Sequence, residues 1–211
     1  MDRVLILIPC SASKRKLGGT IYNISSSILN YLTNSYKERL LSLRKRLFKY
    51  FSLQFGQDVD HQDEYNIHYL EAYMRYTGKY SQIYRQISPS SWYKLKQNTN
   101  LDLVIVSALY GLLRYDETIR YYNKTMKDKM GNNTLKTWWK NNGLCKILKD
   151  YVDKNHITKI YNVLSKDYTE ALRNYFIDTE AKFVYKDFSE YKSGSNAYRG
   201  KWVDNFIQNF N

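Results

Sequence analysis

Three short polar segments carry the residues best suited to chemistry. The first is Pro9-Cys10-Ser11-Ala12-Ser13-Lys14. Ser11, Ala12 and Ser13 are small enough for a tight turn whose backbone N–H groups can cradle an anion, and Lys14 adds a positive charge. Cys10 is a candidate nucleophile if a neighbouring charge activates it. The reading that comes first for this position, however, is a buried, inert thiol in a strand-to-helix turn. The glycine-rich phosphate-binding loop is absent, because Gly18-Gly19 is not followed by Lys and Ser/Thr at the required spacing. The second segment, Ser107-Ala108-Leu109-Tyr110-Gly111-Leu112-Leu113-Arg114, joins a small pair to a glycine and a planar guanidinium suited to phosphate or a base edge. Tyr121 and Tyr122 follow one short loop later. The third is Ser165-Lys166-Asp167-Tyr168. The candidate catalytic residues are Cys10, Ser13, Lys14, Ser107 and Tyr110.

Each segment follows an apolar run that must position it. Val4–Pro9, Leu101–Ala108 and Ile157–Leu164 are nearly continuous and rich in β-branched residues, the pattern of strands buried on both faces. Ala181–Phe188 alternates and predicts an edge strand. Helical spacing predicts helices over Ser25–Phe55, Glu64–Tyr76, Ser90–Gln97, Thr134–Asn155 (broken at Asn142-Gly143), Lys166–Asn174 and Asn196–Phe210. Strands alternating with helices predict an α/β fold, one domain over 1–211, with a mostly parallel central sheet flanked by helices. Ligands in such sheets bind beyond the carboxyl ends of the strands. Ser13, Ser107, Arg114 and Ser165 are therefore expected in one cleft.

The chain has 211 residues and a formal net charge of +13, an excess that suits polyanionic partners. The run Lys37–Lys49 holds six basic residues and one acidic one. Arg44, Lys45, Arg46 and Lys49 are its candidates for a nucleic-acid face, with a solvated helix surface as the alternative. Two distant cysteines and three scattered histidines form no metal or disulfide motif, so neither metal nor cofactor is expected. The apolar start is too short for a signal peptide, and no run has the length of a membrane span. A cytoplasmic protein is the expectation. The 22 tyrosines suit core edges and binding surfaces alike.

The order of these segments resembles the YaaA family, in which an ALYGLLRP-like element is followed by a tyrosine. Here it is Ser107–Arg114 with Tyr122, and Tyr115 stands where the family has proline. Tyr76-Thr77-Gly78-Lys79-Tyr80 with Tyr84, Leu135–Trp139, Leu164–Tyr168 and Ala197-Tyr198-Arg199-Gly200 match further elements. The opening departs from the family's usual SPAK-like turn. It is similar to a group of small proteins with a PCS-x-x-K turn, and to a domain of archaeosine synthase, which handles a deazaguanine base in tRNA. The resemblance implies a divergent member, peroxide-stress protection, lowered free iron, and DNA binding through a helix-hairpin-helix, for which Phe55-Gly56-Gln57 is the available turn.

The ligand-binding candidates are then Ser11, Ser13, Lys14, Tyr80, Ser107, Arg114, Tyr122, Ser165 and Arg199. Tyr198, Trp202, Phe206 and Phe210 recur every four residues, predicting one apolar helix face packed on the sheet. Arg199, beside that face, is placed to share an anionic ligand with Arg114 or to pair with a carboxylate. Two functions remain open. One is a nucleic-acid-binding protein acting in peroxide stress, with DNA or RNA as partner. The other is an enzyme acting on a nucleobase or nucleotide.

Overall fold

The computed structural model describes residues 2–20, 23–53, 69–172 and 179–210. The chain opens with β1 (Val4–Pro9), passes two 3-10 turns (Ile24–Ser26 and Ile28–Tyr31), and enters α1 (Asn34–Tyr50). Next come β2 (Tyr69–Glu71), the short α2 (Ala72–Arg75), a 3-10 turn at Tyr84–Gln86, and α3 (Pro89–Gln97). The strands β3 (Leu101–Ser107), β4 (Gly111–Arg114) and β5 (Thr118–Arg120) follow, then the small hairpin β6 (Lys129–Met130) and β7 (Asn133–Thr134). The last elements are α4 (Leu135–Asn141), α5 (Leu144–Lys154), β8 (Lys159–Asn162), α6 (Lys166–Ala171), β9 (Lys182–Tyr185) and α7 (Ser195–Asn209).

The main sheet has the order β4-β3-β1-β8-β9. Its β1–β3, β1–β8 and β8–β9 pairs are parallel, and β4 is an antiparallel edge. This is the expected α/β architecture, with β9 as the other edge. Leu5, Ile6, Leu7 and Ile8 of the central strand are wholly buried. Burial of each such side chain stabilises the fold by about 1.5–3 kcal/mol, which explains why a continuous apolar run occupies this position.

Several expected elements shift. The region 25–33 is two 3-10 turns, not helix, because Asn23 and Ser27 cap them by accepting from Ser25 N and Leu29 N. Residues 69–71 form a strand paired with β5 rather than helix. Positions 54–68 and 173–178, including Phe55-Gly56-Gln57, lie outside the described residues. The break foreseen at Asn142-Gly143 is real: Gly143 takes φ +77°, a conformation that favours glycine, between α4 and α5.

The largest departure is β4. Instead of crossing over, the chain reverses at Ala108–Tyr110 and runs back along β3, placing Arg114 opposite Val104. Gly111 permits this doubly. Its φ is +74°, and a Cβ there would sit 2.7 Å from the Trp139 ring. In α7 the buried face is Arg199, Gly200, Val203 and Ile207, one step round from the face expected. Trp202 and Phe206 still pack against Tyr161 of β8, whereas Tyr198 turns outward to stack on Tyr191. Gly200 does permit a close approach, but to the Ile83 carbonyl and not to the sheet.

Arg44 is a further correction. It is wholly buried and cannot face a nucleic acid. Its guanidinium pairs with Glu117 at 3.0 Å and donates to the Tyr110 and Leu112 carbonyls at 3.0 and 2.8 Å. Glu117 in turn accepts from Ile28 N at 2.9 Å and from Ser27 Oγ at 3.2 Å. The hidden ion pair thus ties α1, the β3–β4 reversal and the 3-10 turns together. Arg44→Met should lower unfolding free energy by about 3–5 kcal/mol, since it leaves a buried carboxylate uncompensated. Urea titration followed by tryptophan fluorescence checks this; a loss below 1 kcal/mol would show that the pair is not a structural tie.

Candidate functional site

The parallel strands β1 and β8 deliver Pro9–Ser13 and Ser165–Tyr168 to the same end of the sheet. Between them lies a cleft of about 400 Å³. Cys10, Ser11, Ser13, Ser165, Asp167 and Tyr168 line one part of it. Tyr80, Gln82 and Ile83 form a second wall, Thr125, Met126 and Lys127 a third, and Asn196 at the start of α7 closes the rim. The volume falls in the range of small-molecule sites.

The turn after β1 is held from several sides. Cys10 N donates to the Val106 carbonyl at 2.9 Å, continuing the parallel ladder. The Ser13 hydroxyl accepts from Tyr80 N at 3.0 Å. Gly78 lies so close that a Cβ would fall 2.5–2.6 Å from the Ser13 and Lys14 backbone. The wholly buried Arg75 donates to the Arg15, Lys16 and Leu17 carbonyls at 2.6, 3.2 and 3.2 Å. A buried guanidinium with carbonyl acceptors fixes the backbone that follows the turn. Burial pushes Arg75 down to about 10.

A layer of tyrosines supports the floor. Tyr84 donates to the Pro9 carbonyl at 2.9 Å. The Tyr76 and Tyr122 hydroxyls lie 2.7 Å apart, and the Ser107 hydroxyl lies 2.8 Å from that of Tyr122. Tyr168 reaches the Cys10 thiol at 3.2 Å. Burial raises Tyr76, Tyr84, Tyr122 and Tyr168 well above the ordinary phenol range, with the Cys10 sulfur adding to the effect. These phenols therefore stay protonated near neutral pH and serve as hydrogen-bonding groups.

Lys14 is buried against this layer. Its ammonium lies 4.2 Å over the Tyr122 ring and donates to the Lys124 carbonyl at 3.3 Å, next to the lining residue Thr125. Burial lowers its pKa, opposed by Cys10 and Asp128. Asp128 itself accepts from Thr125 N and Oγ1, both at 2.7 Å. Burial works to raise that carboxyl, yet the Thr125 bonds and nearby Lys124 and Lys14 hold it below its ordinary value.

The structure brings Cys10, Ser11, Ser13, Tyr80 and Ser165 together at the cleft, with Lys14 behind its wall. Ser107, Tyr110 and Tyr122 are buried and are not among the residues that line it. Ser107 accepts from Tyr110 N at 3.1 Å, and the Tyr110 carbonyl is engaged by Arg44. Arg114 is carried away by the β3–β4 reversal to the start of β3. There it pairs with Asp102 at 3.0 Å and Asp116 at 3.2 Å. Burial would lower Arg114, but Asp102, Tyr151 and Asp116 hold it above its ordinary value.

Arg199 stays near the rim. It donates to the Val163 carbonyl at 3.1 Å and to Asn196 Oδ1 at 3.3 Å, and covers Phe188. No ligand can be shared by Arg199 and Arg114. Lys45, Arg46 and Lys49 are exposed on α1, with Arg46 packed over Trp138. Residues not foreseen include Thr125, Lys127, Asp128 and Arg75. The Thr-x-x-Asp spacing of a local side-chain–backbone turn was the available signal for Thr125 and Asp128. Among the described residues no group of His, Cys, Asp or Glu could hold a metal ion, and no helix is long and apolar enough to cross a membrane.

Fold and site together define an α/β protein with a polar cleft at the carboxyl ends of its central parallel strands. The model of one family, peroxide stress protein YaaA, matches residues 7–209, and the chain belongs to that family. No curated protein matches the chain.

Gly78→Ala should push the Ser13–Lys14 backbone aside, costing about 1–3 kcal/mol of stability and shifting the amide resonances of residues 11–14. Thermal unfolding and amide NMR spectra test this. Unchanged spectra would show that the turn does not depend on this close approach.

Proposed function

We propose that this protein acts in peroxide stress by binding a nucleic-acid strand, with one nucleotide seated in the cleft. The observation that carries the reading is the loop between β5 and β6. It forms one wall of the cleft through Thr125, Met126 and Lys127, and it carries Lys124 and Lys127, with Lys129 following at the start of β6. A strand whose nucleotide enters the cleft would lay its phosphates along these ammonium groups. The C-terminal end of α1 adjoins the same region, since the Tyr50 hydroxyl accepts from Gly131 N at 2.9 Å and Lys124 lies 4.2 Å over Phe51. Lys45 and Lys49, four apart on α1, would extend the basic surface. Tyr80 on the opposite wall is 76% exposed, so its ring is available for stacking on a base. The net charge of +13 favours such a partner.

The enzymatic reading, chemistry on a nucleobase or nucleotide, is favoured by one specific observation. The Cys10 thiol and the Tyr168 hydroxyl, 3.2 Å apart, both line the cleft, with the Lys14 amine behind the wall and near enough to feel the Cys10 sulfur.

Binding to labelled single-stranded DNA and RNA should weaken steeply with salt, because phosphate neutralisation releases counterions. The double variant Lys127→Ala, Lys129→Ala should weaken binding several-fold and reduce the salt slope by about 1.4, or roughly 0.7 per lost contact. Tyr80→Ala should weaken binding by about 1–3 kcal/mol without changing that slope. Fluorescence anisotropy at low ionic strength decides the matter: no binding to either polymer would refute the reading.

A further inference from the structure

Lys14 is the sole buried lysine among the described residues, and its environment differs from those of the buried Arg44, Arg75 and Arg199. Arg44 has the Glu117 carboxylate, and Arg75 and Arg199 have backbone carbonyls well placed for the guanidinium fork. Lys14 has no carboxylate within 4.0 Å among the described residues. It has one carbonyl at 3.3 Å and the faces of Tyr122 and Tyr76 at 4.2 and 5.9 Å. An ammonium with three donors is poorly served by that set. A structural role would be met more simply by an apolar residue or an arginine. A desolvated lysine with no carboxylate in direct ion-pair contact, Asp128 acting on it only from beyond 4.0 Å, is an arrangement that keeps an amine available as a nucleophile toward carbonyl carbon.

Its position suits that chemistry. Lys14 follows Ser13, which lines the cleft, and its Nζ rests against the carbonyl preceding Thr125, which lines the facing wall. One 3.3 Å hydrogen bond and the Tyr122 and Tyr76 ring faces hold the amine there, and a flexible four-carbon stem lets it turn toward the cleft when that bond is released. We propose that Lys14 is an amine nucleophile that condenses with an aldehyde seated in the cleft, the aldehyde being the open-chain C1 of a sugar phosphate that has lost its base. The amine lone pair attacks the carbonyl carbon, and a proton moves to the oxygen to give a carbinolamine. Loss of the carbonyl oxygen as water, with the two amine hydrogens, leaves a carbon–nitrogen double bond. No oxidant or reductant is required. The protonated imine carries the same charge as the ammonium it replaces, so the Tyr122 face stabilises both.

The choice of a sugar phosphate rests on the reading of the cleft as a nucleotide site beside a basic loop. Oxidative damage to nucleic acids leaves base-free sugars of this kind, which accords with a peroxide-stress family. The same aldehyde occurs in free 2-deoxyribose 5-phosphate and in a strand with a base-free position, so both serve as probes.

The full chain is incubated with each probe and sodium borohydride, which reduces the imine to a stable secondary amine. Intact mass spectrometry should show one adduct, heavier than the protein by the mass of the aldehyde less one oxygen, and peptide mapping should place it on Lys14. Lys14→Arg should reduce trapping at least tenfold. Labelling at low probe concentration only by the base-free strand would identify the substrate as nucleic acid. Equal labelling by the free sugar phosphate would identify a small aldehyde. Labelling at Lys14 without affinity for intact strands would uphold this inference and remove the nucleic-acid reading, and the converse result would do the reverse. No borohydride-dependent adduct with either probe, or an adduct mapped to other lysines in the unaltered protein, overturns the proposal. The mapping does not depend on whether the variant folds.

Discussion

The structure depends on the burial of one strand. β1 lies between β3 and β8 with both faces covered, and its parallel register with both neighbours leaves no freedom in where its carboxyl end emerges. A one-residue slip would turn every side chain to the other face, although for a strand buried on both sides the larger penalty is lost packing. Because the register is fixed, Cys10–Ser13 and Ser165–Tyr168 arrive side by side from segments more than 150 positions apart in the chain. The cleft follows from that convergence.

The polar interior divides into two assemblies at opposite ends of β3. At its carboxyl end, Ser107, Tyr76 and Tyr122 share hydroxyl hydrogen bonds beneath the cleft floor. At its start, Asp102 collects Arg114, Arg3 and the Tyr151 hydroxyl. The second assembly has its charges paired, which fits a structural role. Against the first lies Lys14, with no carboxylate within 4.0 Å among the described residues and Asp128 acting on it only from further off, beside an accessible pocket. Buried polar groups that are fully matched hold a fold together; a mismatched one next to an opening marks where a ligand completes the set.

Much of the fold was legible because strand burial writes itself as continuous apolar sequence. Val4–Pro9 coincides with β1, and the break at Asn142-Gly143 with the α4–α5 junction. The course of the chain after β3 was not legible. Residue types at Ser107–Gly111 fit a crevice loop and a hairpin reversal equally, and only the pairing of β4 with β3 separates them. That one choice moved Arg114 from the cleft to the far end. Arg44 misled for a related reason. It sits in a run of basic residues that reads as surface, and its partner Glu117 is 73 positions away. The face of α7 was off by one residue because aromatics at 198, 202, 206 and 210 outweighed the narrower stripe of Gly200, Val203 and Ile207 that fits the close approach to Ile83.

The central claim is that the end of the sheet defined by β1 and β8 is where this protein meets its ligand. Hydrogen–deuterium exchange of the full chain, with and without a short single-stranded oligonucleotide, tests it most directly. The account predicts slowed exchange in residues 10–14, 80–83, 124–129 and 165–168 together, with the Asp102–Arg114 end unaffected. Protection confined to the Asp102–Arg114 end, or to α1 with the cleft segments unchanged, would contradict it.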